Sequence, residues 1–268
     1  MKNFLKKNIA HLTKNLPPDA YIVSYPKSGR TWLRMLIGKS LAEKHNIAED
    51  RIVRARYMTS AAGLLRTRFI HDGSATNEKR SCRELNHDKS AYKNTRLVLL
   101  SRDIKDTLVS SYFQATKREN IFEGSLSDFI RSEYFGAVKI LEFYRQWYEQ
   151  RHVPRDFLFI RYESLHKRPE QGLENVLTFL GASEVEPEVL NTAVEYCRFE
   201  NLRKLEENQT INSGILSPKD PNDPESYKTR KGEVGGYRSY LSDEDIEYIE
   251  AQTEKYGCEF TRYNWDEI

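Results

Sequence analysis

Residues 20–45 read AYIVSYPKSGRTWLRMLIGKSLAEKH, and the order of parts within that stretch sets the fold. The opening run, AYIVSY, is β-branched and aromatic, which predicts a buried strand. From Thr31 to Lys44, Trp32, Met35, Leu36 and Leu41 fall on one helical stripe. Between them stand Pro26, Lys27, Ser28 and Gly29. A loop joining a strand end to a helix start aims its free N–H groups and the helix dipole at one spot, where a phosphate is favoured. Lys27 adds a mobile positive charge, and Gly29 lets the backbone come close. A nucleoside-triphosphate loop reads GxxxxGK[ST], with its lysine after the last glycine. Here the lysine precedes the only glycine by two residues, and Ser28 alone follows it as a hydroxyl. The loop is therefore expected to hold an anion without an obligatory metal.

The rest of the chain repeats the strand–helix alternation. RFIH (68–71), RLVLLS (96–101) and FLFIRYE (157–163) read as strands. Helical spacing follows in DIKDTLVSSYFQATK, over 125–151, in PEQGLENVLTFLG up to a stop at Gly181, in EPEVLNTAVEYC, and after an N-cap at Ser242. Ser125 and Asp128 form a capping pair at the start of the long 125–151 pattern. This alternation predicts an α/β fold: a parallel sheet with helices on both faces, in one domain spanning 1–268. Ligands of such sheets sit at the carboxyl ends of the strands. Tyr25, His71, Arg102 and Tyr162 fall at or just past those ends. Residues 1–19 read as a basic leader helix, and 208–236, rich in Asn, Ser, Pro and Gly, as a lid too long to be an idle connection.

Bulk properties exclude several classes. A net charge of +2 gives no global basic field for nucleic acid. No stretch approaches the roughly 20 apolar residues of a membrane span, and the N-terminus lacks a signal-peptide core. Three widely spaced cysteines form no zinc pattern and suit a reduced, cytoplasmic protein.

Two further stretches carry charge suited to phosphate. In LLSRDIKDTLVSSY, Arg102 sits where strand meets helix and Ser110 follows about two turns later; a guanidinium fork and a hydroxyl suit a second phosphate. In YKTRKGEVGGYRSYLS, Arg230 and Lys231 precede Gly232 in a glycine-rich segment.

Together these stretches resemble the sulfotransferases that use 3′-phosphoadenosine-5′-phosphosulfate (PAPS). YPKSGRTW is similar to the family's YPKSGTTW loop, with Arg30 its one departure. RDIKDTLVS resembles the 3′-phosphate motif. RKGEVGGYRSYLS resembles RKGxxGDWKNxFT, with Gly236 and Tyr237 in place of Asp-Trp. The likeness runs in order over residues 20–242 and implies a P-loop-like sulfotransferase fold. It implies that Lys27, Ser28, Gly29, Arg30 and Thr31 bind the 5′-phosphosulfate. Arg102, Ser110, Arg230, Lys231 and Gly232 would take the 3′-phosphate, and Tyr162 and Phe199 the adenine. Trp32 would stack near the adenine, or would simply be a core residue of the first helical turn. PAPS would leave as adenosine 3′,5′-bisphosphate (PAP), with no metal required.

Direct sulfuryl transfer needs a base for the acceptor's proton, and histidine suits the task. His71 (FIHDGS) ends a predicted strand facing the cleft; His87 (LNHDKS) lies in a polar stretch. His71 is the assigned base. Familiar animal members carry a lysine two residues before it; here that position is Phe69, and Arg68 points to the opposite face. Leaving-group charge then rests on Lys27, with Arg30 as a possible helper. Candidate acceptor-pocket walls are Tyr57, Phe69, Tyr112, Phe113, Tyr134 and Tyr240. The sequence style resembles bacterial members that modify secondary metabolites, so a small-molecule acceptor is expected, with a carbohydrate or lipid acceptor left open, and with the oligomeric state open too. A P-loop kinase or a non-catalytic nucleotide-binding module is the rival reading.

Overall fold

A computed structural model describes residues 16–211 and 214–262. The leader expected over 1–19 lies outside the described residues except for 16–19. Chain order is β1 (Ala20–Ser24), α1 (Arg30–His45), α2 (Ala55–Ala61), β2 (Thr67–Ile70), β3 (Arg96–Ser101), α3 (Ile104–Phe113), α4 (Leu126–Arg131), α5 (Ala137–Glu149), β4 (Asp156–Arg161), α6 (Tyr162–Lys167), α7 (Pro169–Phe179), α8 (Pro187–Tyr196), α9 (Phe199–Glu207) and α10 (Asp243–Tyr256), with short 3₁₀ turns between some of them.

All strand pairs are parallel, in the order β2-β1-β3-β4. The chain steps from β1 to one neighbour, β2, then crosses to the other side for β3. That reversal leaves a crevice at the carboxyl end of β1, the usual ligand position in open α/β sheets. Alternate residues feed two cores. Ile22, Val98 and Leu100 pack with Leu33, Leu36, Val176 and Leu190 on one face. Val23, Leu97 and Leu99 pack with Leu108, Ile140, Trp147 and Ile249 on the other. Burial on both faces explains why RLVLLS reads as a continuous apolar run.

Two expected elements differ. The single pattern over 125–151 is two helices. Ser125 does cap α4, accepting from the Asp128 amide at 3.1 Å while Asp128 accepts from the Ser125 amide at 3.0 Å. The chain then leaves the helix at Ser132 (ψ 136°) and restarts after Gly136. A Cβ at Gly136 would lie 2.2 Å from the Ile130 carbonyl, so this close turn admits only glycine. The strand at 157–163 ends at Arg161, and Tyr162 opens α6.

Helices α2 and α9 were not anticipated. The segment 208–236 is not a bare loop either: among its described residues Leu216, Ser226 and Tyr227 are buried.

Candidate active site

Tyr25, His71, Arg102 and Tyr162 are the residues immediately after β1, β2, β3 and β4. Three of them, His71, Arg102 and Tyr162, line a cavity of about 650 Å³; Tyr25 instead packs edge-on against Phe143 in the core. Lys27, Gly29, Arg30, Thr31, Trp32, Ser110, Phe199, Arg230, Lys231 and Gly232 line the same cavity. Residues as far apart in sequence as Lys27 and Gly232 therefore meet at the side of the sheet to which the parallel strands deliver their ends.

The loop after β1 has the geometry of an anion cradle. Lys27 (φ 68°) and Gly29 (φ 88°) both take left-handed backbone, and Gly29 caps α1. Successive turns of this kind point amides inward. A Cβ at Gly29 would lie 2.4 Å from the Tyr162 ring, so the tyrosine seals the outer side of the loop. Ser28 departs from expectation. Its hydroxyl is fully buried, 3.0 Å from the Tyr144 hydroxyl, which itself donates to the Leu100 carbonyl at 3.2 Å. The Ser28 side chain anchors the loop to α5 and does not line the cavity.

Trp32 faces the cavity and is also part of the core packing. It lines the cavity, packs on the apolar core, meets the Tyr162 ring edge-on at 5.6 Å and donates to the Cys197 carbonyl at 3.1 Å.

The C-terminal motif is held by residues the sequence reading passed over. Asp106 accepts from the amides of Gly235 (2.8 Å) and Tyr237 (2.9 Å) and lies 3.5 Å from Arg102. Glu206, fully buried, accepts from the amides of Lys228 (2.7 Å) and Thr229 (2.9 Å) and from the Thr229 hydroxyl (2.6 Å). These two carboxylates bind backbone amides on either side of Arg230-Lys231-Gly232. Phe199 closes over Gly232, where a Cβ would lie 2.4 Å from the ring. Arg230 is fixed by the Tyr240 hydroxyl at 2.7 Å and Glu225 at 3.2 Å. Asp106 sits in RDIKD, the right distance from Arg102 for an i,i+4 pair, and that spacing was the available signal. Glu206 gave none, since its partners are backbone amides 22 and 23 residues on.

His71 is partly buried, and its Nδ1 lies 2.9 Å from the Ser24 carbonyl. A carbonyl only accepts, so Nδ1 carries the proton and Nε2 keeps its lone pair. Burial, then Arg30, lowers the His71 pKa to about 3, which keeps the ring neutral. The turn beneath it is pinned: Ser74 donates to the His71 carbonyl, and Asp72 makes a buried ion pair with Lys89 at 2.7 Å and accepts from Tyr92 at 2.6 Å. His87 is exposed, hydrogen-bonds with Gln146 and Gln150 at the end of α5, and does not line the cavity. Lys27 donates to the Gln114 side-chain oxygen at 3.4 Å; burial, then Lys228 and other cations, holds its pKa well below the usual lysine range.

None of the six proposed acceptor-wall aromatics lines this cavity. Tyr57 lies under Arg51, and Phe69 under Arg34, whose guanidinium stands 4.7 Å over its ring. Tyr112 belongs to an aromatic cluster with Phe122 and Phe129. Phe113 and Tyr240 support Arg230 from behind. Tyr134 is 42% exposed on the surface. Aromatic residues on helices served the core and the cations, as apolar side chains mostly do. The cavity wall instead includes Ala75, Thr76 and Asn77, which follow His71 in sequence, and Gln114 and Glu119.

A parallel α/β sheet with a cationic cradle at its switch point and a neutral histidine beside it defines a P-loop-like protein built for a phosphorylated anion. The chain matches the family model described as "Sulfotransferase domain" over residues 17–259, so it belongs to the sulfotransferase family and is a sulfotransferase enzyme. It is similar to flavonol 3-sulfotransferase of Flaveria bidentis, at 28% identity over 264 residues, covering 87% of this chain and 80% of that one. Cytosolic sulfotransferase 12 of Arabidopsis thaliana is also 28% identical, covering 88% of this chain and 76% of the relative. Retinol dehydratase in complex with androsterone and inactive cofactor PAP shares the fold, with a TM-score of 0.64 at 17% identity, covering 100% of this chain and 88% of that one. Among the described residues no helix is long and apolar enough to cross a membrane.

Proposed function

We propose that this enzyme transfers a sulfuryl group from PAPS to a hydroxyl or amino group of a small molecule, directly, with His71 as base. One observation carries the reading: at the end of β2, His71 is locked as the Nδ1–H tautomer by Ser24, with its free nitrogen beside the cavity that Lys27 and Arg30 line.

The residues fit a donor phosphorylated at both ends. Arg102 and Arg230 each keep a buried Nε without a hydrogen-bond partner among the described residues. Gly29 and Gly232 present bare backbone where side chains would collide with aromatic rings. In this reading the amides of 27–31, with Lys27, Arg30 and Thr31, hold the 5′-phosphosulfate. Arg102, Ser110, Arg230, Lys231 and the Gly232 amide hold the 3′-phosphate, with Trp32, Tyr162 and Phe199 around the adenine. PAPS supplies the sulfuryl group and departs as PAP; no metal is called for. His71 Nε2 removes the acceptor's proton as the acceptor bonds to sulfur, and Lys27 offsets charge growing on the leaving phosphate oxygen.

A small hydroxylated acceptor, of the secondary-metabolite kind expected of a bacterial-style member, is supported by relatives named for flavonols. A soluble, cytoplasmic enzyme of one domain is supported by relatives named as cytosolic and by three free cysteines among the described residues. The 208–236 segment is read as the lid that brings Arg230 and Lys231 to the donor.

His71→Ala is the test. Turnover should fall about 10²–10⁴-fold, the usual share of a general base, while PAP affinity by calorimetry stays within about threefold of wild type. Retained turnover in His71→Ala, with loss in His87→Ala, would overturn the assignment.

A further inference from the structure

We propose that Lys228 is a second catalytic cation, which the C-terminal segment delivers to the sulfuryl group and which supplies the charge that β2 lacks at position 69. The inference rests on the donor assignment above and adds a residue to it.

Lys228 lines the cavity with Lys27 and His71. Its ammonium donates to the Gln114 side-chain oxygen at 3.3 Å, the same oxygen that Lys27 meets at 3.4 Å. Two cations from opposite ends of the sequence thus converge on one neutral atom. Gln114 holds them there, its amide nitrogen in turn donating to Glu119 at 2.8 Å. Among the described residues neither ammonium has a carboxylate within 4.0 Å. Among the described residues the one carboxylate bonded to residue 228, Glu206, takes its backbone amide and leaves the side chain to the cavity. That amide bond fixes the lysine's root, and the Thr229 amide and hydroxyl on the same carboxylate stop the segment from turning.

Glu119 and Glu206 act on Lys228 only from beyond ion-pair distance, and converging like charges so weakly countered are costly unless an anion completes them. The neighbours say which part of the anion. Lys228 is close enough to Lys27, Arg30 and His71 to interact electrostatically with each. Arg102, Arg230 and Lys231 are assigned to the 3′-phosphate. The base and the β1 loop mark the point of transfer, so Lys228 belongs to the sulfuryl end. Phe69, where a second lysine would otherwise stand, is covered by Arg34 and supplies no cation to the cavity. Burial, then Arg118, brings the Lys228 pKa down to about 8, so the residue is poised to take a full charge as the anion enters.

The step balances as follows. The acceptor's lone pair forms the new oxygen–sulfur or nitrogen–sulfur bond, and its proton passes to His71 Nε2. The bond from sulfur to the 5′-phosphate oxygen breaks, and its electron pair stays on that oxygen beside Lys27. Lys228 donates to a non-bridging sulfuryl oxygen before, during and after the transfer. It therefore contributes both to holding the donor and to the rate.

This makes a prediction that needs no acceptor. PAPS and PAP differ only by the sulfuryl group. Isothermal titration of Lys228→Met with each should show PAPS affinity down about tenfold and PAP affinity within about twofold of wild type. Lys228→Arg, which restores a cation, should recover most of the PAPS affinity. Equal changes for both ligands, or none for either, would overturn the role of Lys228 while leaving the donor assignment intact. Wild-type protein that binds neither ligand would instead overturn the donor assignment, and this inference with it. Thermal unfolding of both variants separates a misfolded chain from a specific loss: a Lys228→Met chain that unfolds like wild type and keeps its PAPS affinity contradicts the proposal.

Discussion

The two ends of the cavity hold their cations under opposite constraints. At one end, Arg102 reaches Asp106 at 3.5 Å and the Glu233 carbonyl at 2.9 Å, and Arg230 reaches Glu225 and the Tyr240 hydroxyl. These guanidinium groups are held by the protein's own acceptors. At the other end, Lys27 and Lys228 share one amide oxygen. The first end is pre-formed and suits recognition. The second is left short of negative charge, and gains most where charge moves during reaction. Binding and turnover should therefore separate when the two ends are mutated independently.

The largest effect is expected at the reactive end. Lys27→Ala removes a cation from the leaving oxygen and should lower kcat about 10²–10³-fold, the scale of losing one donor to a developing anion. PAP affinity should change far less. A Lys27→Ala enzyme with normal kcat and weak donor binding would erase the contrast between the ends.

At the recognition end the expected pattern is reversed. Arg230→Ala loses charge-assisted contacts of about 1.5–3 kcal/mol, so PAP affinity should fall about ten- to hundredfold. Turnover at saturating donor should stay within a few-fold of wild type. Asp106→Asn sharpens the point, because Asp106 touches no ligand in this account and holds the Gly235 and Tyr237 amides and Arg102 in place. It should weaken PAP binding by a smaller factor than Arg230→Ala, and Asp106→Ala by more than Asp106→Asn.

Arg30 lies between the two patterns. Its guanidinium lines the cavity, and burial, then Arg34, lowers its pKa to about 9. Arg30→Thr restores the family's usual residue. A fall in turnover at saturating PAPS would place Arg30 with the reactive end; a raised donor constant alone would place it with recognition.

The smallest effect is a pH dependence. Lys228 stands at about 8 because burial disfavours its charge, and a bound anion reverses that. A cation with a lowered pKa in the free protein must take up a proton when the anion binds. PAPS affinity should therefore be full below about pH 8 and decline as pH rises through it, while PAP affinity, which does not draw on Lys228, should not follow that decline. Calorimetry in buffers of different ionisation enthalpy should detect proton uptake near pH 8. In the acid direction, His71 at about 3 should keep kcat/KM from falling near the ordinary histidine value of roughly 6.5.

The sheet was legible because its strands are short apolar runs covered on both faces, and because each ends at a residue of evident chemistry. His71, Arg102 and Tyr162 could be placed from that rule alone. Ser28 could not: a buried hydroxyl and a phosphate-binding hydroxyl look alike in sequence, and only the position of Tyr144 decides between them. The acceptor walls were illegible for a related reason. Aromatic side chains stabilise any core, so abundance marks no pocket, and Phe113 and Tyr240 turned out to brace Arg230. Lys228, Gln114 and Glu206 carry no local signal, since the contacts that bring them together lie 22 to 114 positions apart in sequence. The break of the 125–151 pattern turns on one close approach at Gly136, which periodicity does not register.

Ligand preference tests the central claim most directly, because the rival phosphate-loop chemistries differ in the nucleotide they hold. Thermal unfolding should be followed with PAP, adenosine 5′-phosphate and ATP with magnesium, each at the same concentration. The account expects PAP to raise the midpoint most, since Arg102, Ser110, Arg230 and Lys231 then gain their 3′-phosphate. Stabilisation by magnesium–ATP above that by PAP would contradict it.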